Sequence, residues 1–317
     1  VLTVTLTKSN NERPDPEPHE VALVIISPVR DEALHIRHTL DSVIAQTCRP
    51  REWIIIDDGS TDETAAIVAQ YAENHAFIRL HSRPDRGARK LGGGVIEAFD
   101  FGREQIEDES WRYIAKLDGD MSFGPRYLEI MLARLEAEPD LAAVSGKVYR
   151  PEAERLVLEY QIDEQVAGQF KLYKREAFEA IGGFEQSILW DGIDIHRCRM
   201  EGWRTLSFDC PEARLYHHRQ MGSSDVNVYR GRLRLGAGLH FMGYDPLYLL
   251  ASGIFRMGEK PYVIGGLLMI FAYFRAKIMG APQYDDAEFR RSLQVWQRER
   301  LRRILTAPLR RIGLLAR

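Results

Sequence analysis

The stretch WIIIDDGSTD, Trp53 to Asp62, sets four apolar residues, three of them β-branched, directly against an acidic turn. A short unbroken apolar run closed by turn residues is the pattern of a strand buried on both faces. Beyond the Asp and Thr cluster, which has good N-cap character, the apolar positions from Ala65 to Tyr71 recur at helical spacing. The local order is therefore strand, acidic turn, helix. Upstream, Val21 to Ser27 reads as an equivalent strand stopped by Pro28, and Leu34, Ile36, Leu40, Val43 and Ile44 form the helix between the two strands. Downstream come Phe77 to Leu80, a Gly-rich loop with a helix from Gly92 to Phe101, and the apolar residues before Asp118. Alternation of this kind predicts an α/β fold with a mainly parallel sheet covered by helices on both sides.

Ligands of such sheets bind outside the carboxyl ends of the strands. The turn after Ser27 (Pro28, Val29, Arg30, Glu32), Asp57, Asp58, Asp118, Gly119 and Asp120 all fall there. Asp118-Gly-Asp120 offers two hard carboxylates suited to magnesium or manganese beside a diphosphate, although the same tripeptide also serves as a polar turn. Several carboxylates at one sheet edge repel unless a cation or hydrogen-bonding ligand joins them. Arg86 to Gly94 is a glycine-rich loop whose backbone N–H groups, with Arg89 and Lys90, could face phosphates; its glycines equally suit a plain loop-to-helix turn. His217-His218-Arg219 is a further constellation, a histidine supplying a third metal ligand and Arg219 pairing with diphosphate oxygens, or simply a surface loop.

The wording and order of Val24 to Glu32, Leu40 to Thr47 and Ile54 to Thr64 resemble the family 2 glycosyltransferases, and the resemblance runs from about Val21 to Gly222. It implies a nucleotide-sugar-binding GT-A fold, Rossmann-like in its layers, and a transfer that inverts the anomeric centre. It implies that Pro28, Glu32 and Asp58 surround the base and ribose, and that Asp118 and Asp120 form the family's Asp-x-Asp pair at ribose and metal. Where the family commonly has Glu-Asp before a helix, this chain has Trp190-Asp191-Gly-Ile-Asp194. Counted back from Gly202, the expected helix end, the family's general base falls on Asp191, with Asp194 the alternative. Similarity to related transferases also favours His218 slightly over His217 as metal ligand.

In 317 residues at an overall formal charge of −3, Lys and Arg outnumber Asp and Glu by 13 to 5 from Pro246 onward. Two apolar stretches there, Pro246 to Phe255 and Tyr262 to Phe274, fall short of the roughly 20 residues of a spanning helix and read as interfacial or re-entrant segments. Phe289 to Arg317 reads as a basic amphipathic helix facing anionic lipid. The expected organisation is a flexible arm over 1–20, a catalytic domain over 21–225, and a helical, basic, membrane-associating region over 226–317. Three cysteines without Cys-x-x-Cys spacing argue against a disulfide framework or zinc knuckle, and the Pro-rich start carries no secretory signal pattern. The expected partners are a nucleoside diphosphate sugar, a UDP-sugar by preference, a lipid-linked saccharide and the cytoplasmic face of a membrane, with nucleic acid not among them. Two rival readings share the acidic site: a sugar-nucleotide nucleotidyltransferase, which would need a Gly-rich loop after the first strand, and a non-catalytic nucleotide-sugar binder.

Overall fold

The computed structural model describes residues 19–85, 92–152, 155–159, 161–218 and 228–311, with side chains to 306; residues 1–18, Arg89, Lys90 and Arg219 lie outside the described residues. Strands β1 (His19–Val29), β2 (Cys48–Asp57), β3 (Ile78–Ser82) and β4 (Tyr113–Leu117) pair in parallel in the spatial order β4-β1-β2-β3. The first strand starts earlier than expected, because His19 and Glu20 pair with Cys48 and Arg49. It also passes through Pro28, since its pairing with β4 has ended at Ile26 and only β2 accompanies it further.

Chain order then brings in β5 (Met121–Phe123), β6 (Leu141–Gly146), β7 (Val148–Glu152), β8 (Arg155–Leu158), β9 (Phe170–Lys174), β10 (Arg204–Phe208) and β11 (Leu215–His217). Among the described residues the main sheet has seven strands in the order β10-β6-β9-β4-β1-β2-β3, with β9 antiparallel to both of its neighbours. A second sheet, β5-β11-β7-β8, was not foreseen because its strands are short and half polar. It matters for the site: β11 delivers His217 opposite Met121, the residue that follows Asp120.

Helices α1 (Ile36–Ile44), α2 (Thr64–Asn74), α3 (Gly93–Arg103), α4 (Tyr127–Ala137), α5 (Arg175–Ala180) and α6 (Trp190–Met200) cover the main sheet. Successive strand residues point to opposite faces, so Leu23 and Ile25 enter one core with Leu40 and Leu128, while Val24 and Ile26 enter the other with Phe99 and Phe178. All of these are at most 1 % exposed, which is why the first strands read as unbroken apolar runs.

Thr39 of α1 and Gln46, just past its end, are polar but buried. Thr39 Oγ1 donates to Met121 O (2.8 Å) and accepts from Met121 N–H (3.1 Å), while Gln46 donates to Gly124 O (2.8 Å) and accepts from Leu128 N–H (2.9 Å). The helix thus fixes the chain just after Asp118-Gly119-Asp120. Helices α7 (Val228–Phe241), α8 (Pro246–Arg256), α9 (Tyr262–Ile278) and α10 (Ala287–Arg311) complete the chain. The segments expected to be interfacial or re-entrant are the helices α8 and α9, which cross closely because Gly253 and Gly266 meet there without side chains. Among the described residues no helix is long and apolar enough to cross a membrane. Phe289 and Leu293 of α10 pack with Ile193 of α6, so this region backs directly onto the helix that carries Asp191.

Gly146 ends β6 where the chain turns toward the second sheet, and a Cβ there would collide with the carbonyl oxygen of Ala213. Overpacking against backbone cannot be relieved by a rotamer change. Gly146→Ala is expected to lower the urea unfolding free energy by about 3 kcal/mol; unchanged stability would show that Gly146 is not pressed against the Ala213 backbone.

Candidate active site

The turns after β1 and β2 are stitched into one unit. Asp31, in the left-handed region at φ 53°, donates its N–H to Ser60 Oγ (3.0 Å) and accepts from Thr61 N–H (2.8 Å). Glu32 N–H donates to Thr64 Oγ1 (2.7 Å) and Ala33 N–H to Asp62 (3.0 Å). Arg30 donates to Asp58 O (3.1 Å), and Asp58 is paired with Arg83 at 3.0 Å. Asp57 accepts from Ser60 N–H (3.1 Å), an interaction that shapes the turn itself. Pro28, Glu32 and Asp58 therefore share one rigid edge. Val29 is buried there: a Cβ on Gly119 would come within 2.9 Å of its side chain and 3.3 Å of Glu32. Only glycine lets the Asp118–Asp120 turn lie this close to the first one.

Lys116, 2 % exposed, donates from within β4 to Asp118 Oδ1 and to Gly168 O (2.8 Å). Burial raises the Asp118 carboxyl above the ordinary carboxylate range; Lys116 opposes the rise, and nearby Asp120 adds to it. Asp120 Oδ2 lies 3.4 Å from His217 Nε2, whose Nδ1 lies 3.2 Å from Glu159 Oε1. Burial alone would lower the His217 pKa, but its hydrogen bonds to the two carboxylates overcome this and hold it at about 10. His218 turns elsewhere. It bonds Ser122 Oγ (2.8 Å) and stacks on His38 with ring centroids 4.3 Å apart, and burial with the neighbouring histidines lowers its pKa. The structure thus brings the His217 ring to the Asp120 carboxylate, while His218, just past the end of β11, reaches Asp120 through its backbone N–H, which donates to Asp120 O (2.9 Å).

Among the described residues no group of three His, Cys, Asp or Glu side chains is arranged to hold a metal ion by itself. Asp120 and His217 nevertheless form an oxygen and nitrogen donor pair suited to manganese, with Asp118 beside it. Diphosphate oxygens would have to complete the coordination shell.

Across the site, α6 begins at Trp190 directly after Leu189, which is left-handed at φ 58°. Asp191 is exposed in its first turn, and a Cβ on Gly168 would sit 3.3 Å from its Oδ2. The residue whose carbonyl Lys116 holds is therefore the one against which the Asp191 carboxylate rests. Asp194 faces inward instead, 1 % exposed, 2.5 Å from Lys171 Nζ and 2.7 Å from Tyr173 OH, with Oδ1 accepting from Ile195 N–H (2.7 Å). Burial raises its pKa against the pull of Lys171. Both Asp194 oxygens are occupied and sealed from solvent, whereas the Asp191 side chain is exposed. Sequence reasoning missed Lys116, Lys171, Gly168 and Glu159; a lysine inside an apolar strand run, rarely buried without a partner, was the available signal.

The sequence profile of "Glycosyl transferase family 2" matches residues 24–190, more than half of the chain, and the protein belongs to that family. The poly-beta-1,6-N-acetyl-D-glucosamine synthase of Staphylococcus aureus (strain COL) is 24% identical over 225 residues, 64% of this chain and 52% of that protein. The synthase of Staphylococcus epidermidis is 24% identical over 199 residues, 56% of this chain and 44% of the relative. The chain spans about half the length of the curated relatives it matches. The mannosyltransferase PcManGT of Pyrobaculum calidifontis, solved with GDP-Man and Mn2+, aligns over 93% of this chain and 91% of its own at TM-score 0.51 and 18% identity. S. aureus TarS in complex with UDP-GlcNAc aligns over 86% and 78% at TM-score 0.51 and 13% identity. These likenesses show the GT-A fold, and the family membership sets the nucleotidyltransferase alternative aside.

His217 carries a folded-state pKa of about 10 against about 6.5 in an unfolded chain. Its pairing therefore stabilises the metal-free protein fully below about pH 6.5, and that contribution fades as pH rises through about 10. His217→Gln is expected to cost about 1–3 kcal/mol at pH 6 and markedly less at pH 10, read by urea unfolding at the two values. An equal cost at both would mean that His217 is not held as the imidazolium.

Proposed function

We propose that this glycosyltransferase moves a sugar from a nucleoside diphosphate sugar, a UDP-sugar by preference, to a hydroxyl of a lipid-linked saccharide during cell-surface or exopolysaccharide synthesis, with inversion at the anomeric carbon. The observation that carries this reading is that Gly168 links two acidic sites: its carbonyl accepts from Lys116, which holds Asp118 in the turn with Asp120 and His217, and the exposed Asp191 carboxylate lies beside its Cα. Polysaccharide synthases among the relatives, and UDP-GlcNAc in the name of the TarS complex, support the donor and acceptor classes.

In this reading the edge formed by Pro28, Glu32 and Asp58 takes the nucleoside, and Asp118 sits at the ribose. Asp120 and His217 would hold a divalent metal, manganese or magnesium, which when bound neutralises diphosphate charge. Asp191 accepts the proton of the acceptor hydroxyl as its oxygen bonds to the anomeric carbon. The bond from that carbon to the diphosphate oxygen breaks, and the electron pair leaves with the nucleoside diphosphate. Attack from the face opposite the leaving group inverts the centre.

The C-terminal helices supply the second part of the proposal, attachment to the cytoplasmic face of a membrane. Ile264, Leu267, Phe271 and Ile278 recur on one face of α9 and are 53%, 52%, 59% and 84% exposed. Arg275 and Lys277 lie beside them, and exposed Arg302 and Arg303 lie on α10. Apolar side chains flanked by cations suit an anionic lipid surface.

Calorimetry with UDP tests the donor site. Wild type should bind UDP more tightly with manganese than without, and Asp120→Ala should lose that dependence; failure to bind any nucleoside diphosphate in folded protein would overturn the assignment. Asp191→Asn should keep UDP affinity while sugar transfer falls by a factor of about 100 or more. Full transfer in that variant would remove the base role, and donor binding without turnover in wild type would favour the non-catalytic binder.

Attachment is checked by co-sedimentation with vesicles. Binding should be stronger to phosphatidylglycerol vesicles than to phosphatidylcholine, weaken with salt, and disappear in Leu267→Asp/Phe271→Asp. A stable dimer in solution that hides these residues, with no lipid binding, would assign the face to a second copy of the chain.

A further inference from the structure

Two lysines occupy the centre of the main sheet, where apolar residues belong. Lys116 on β4 and Lys171 on β9 are direct partners in the strand register, 2% and 0% exposed. Like charges opposite each other on paired strands repel. A buried ion pair, moreover, often stabilises a protein no better than well-packed apolar residues of similar volume. Stability gives little reason to keep them.

What they hold points to the site. The lysine ammonium groups face the ring of Trp190, Lys116 Nζ at 5.1 Å and Lys171 Nζ at 4.9 Å from its centroid, a favourable placement of cations at an aromatic π system. Lys116 also holds Asp118 and Gly168 O, while Lys171 donates to the carbonyl oxygen of Asp191 (2.9 Å) and to Asp194 (2.5 Å). Asp194, fixed by Tyr173, is the buried counter-ion of this arrangement. The Trp190 ring also meets Phe184 edge-on at 5.0 Å, and it follows the left-handed Leu189. A non-glycine residue keeps that backbone conformation only where its surroundings enforce it.

We infer that Lys116, Trp190 and Lys171 form a cation–aromatic clamp that sets the separation of the donor-side carboxylate Asp118 and the acceptor-side carboxylate Asp191, which makes all three positioning residues for sugar transfer. The inference rests on the reading of Asp191 as the base. None of the three is placed at the reacting atoms. Lys171 acts through the first turn of α6, Lys116 through Asp118 and the Gly168 carbonyl, and Trp190 joins the two. A displacement of about 1 Å between base and donor costs roughly a hundredfold in rate, so the effect of loosening the clamp is measurable even where the fold survives.

The test uses the full chain and four variants: Lys171→Met, Lys116→Met, Trp190→Phe and Trp190→Leu. The measurements are thermal unfolding, UDP affinity with manganese, and kcat and KM for UDP release from UDP-N-acetylglucosamine. Lys171→Met leaves Asp194 buried without its counter-ion and should melt lower than wild type; its folded fraction should bind UDP within about twofold of wild type yet lose at least about tenfold in kcat. Lys116→Met should lose UDP affinity by about tenfold as well, since Asp118 loses its partner. Trp190→Phe, which keeps an aromatic face, should retain most of the kcat that Trp190→Leu loses. Wild-type kcat in folded Lys171→Met or Trp190→Leu would overturn the clamp, as would phenylalanine and leucine at position 190 being equally impaired in step with their loss of folded protein. If wild type itself neither binds UDP nor releases it from the sugar nucleotide, the functional reading falls and the clamp with it; if wild type turns over and the variants match it, the clamp alone falls.

Discussion

The contact between the Lys116 ammonium and the Asp118 carboxylate is the interaction on which the rest of the site depends. A parallel sheet whose strands end in Asp57, Asp58, Asp118 and Asp120 collects negative charge along one edge, and charges separated by a few ångströms in a partly desolvated setting repel strongly. The fold answers with cations drawn from its own interior and flanks. Lys116 reaches Asp118 from inside β4, Arg83 meets Asp58, and the His217 imidazolium meets Asp120. Each answers part of the negative charge while the edge stays open to a diphosphate and its counter-ion.

The same lysine links the two halves of the proposed chemistry. Its second bond, to Gly168 O, fixes the backbone against which Asp191 rests, so the acidic turn and the start of α6 are placed by one ammonium. Behind α6, the C-terminal helices fill the remaining space: Met242 packs near Gly192, and Phe289 and Leu293 cover Ile193. Arg197 of α6 bridges Glu185 and Tyr284, joining the loop before the helix to the segment before α10. The helical appendage is therefore continuous with the wall of the site, packed directly on the helix that carries Asp191.

Much of this was legible in advance, and the reasons are local. Val24 to Ser27 and Trp53 to Ile56 are apolar runs because both sheet faces are covered, whereas a strand covered on one face alone would alternate apolar with polar. Asp62 and Thr64 read as a helix start, and α2 does begin at Thr64, but its cap position is Glu63, which makes no side-chain cap bond; Asp62 accepts instead from Thr64 N–H and Ala33 N–H. Gly202 read as a helix end and sits at φ 80°. The second sheet was not legible, since β7 and β8 are half exposed and carry no alternation strong enough to mark a buried face. Nor was the difference between His217 and His218, chemically equal neighbours, whereas the preference for Asp191 over Asp194 came from the family resemblance and the spacing to Gly202.

The sequence by itself determined the strand and helix order, the acidic strand ends and the membership in a glycosyltransferase family, because periodicity, turn chemistry and motif wording are properties of neighbours along the chain. Only the tertiary structure decided that the His217 ring faces the Asp120 carboxylate while the His218 ring bonds Ser122, that Asp191 faces outward while Asp194 is sealed beneath it, and that two lysines 55 positions apart lie opposite one another beside a tryptophan. Those outcomes turn on which face of a strand or helix points at which partner, and that is set by the pairing of segments far apart in sequence, whose register no short stretch contains.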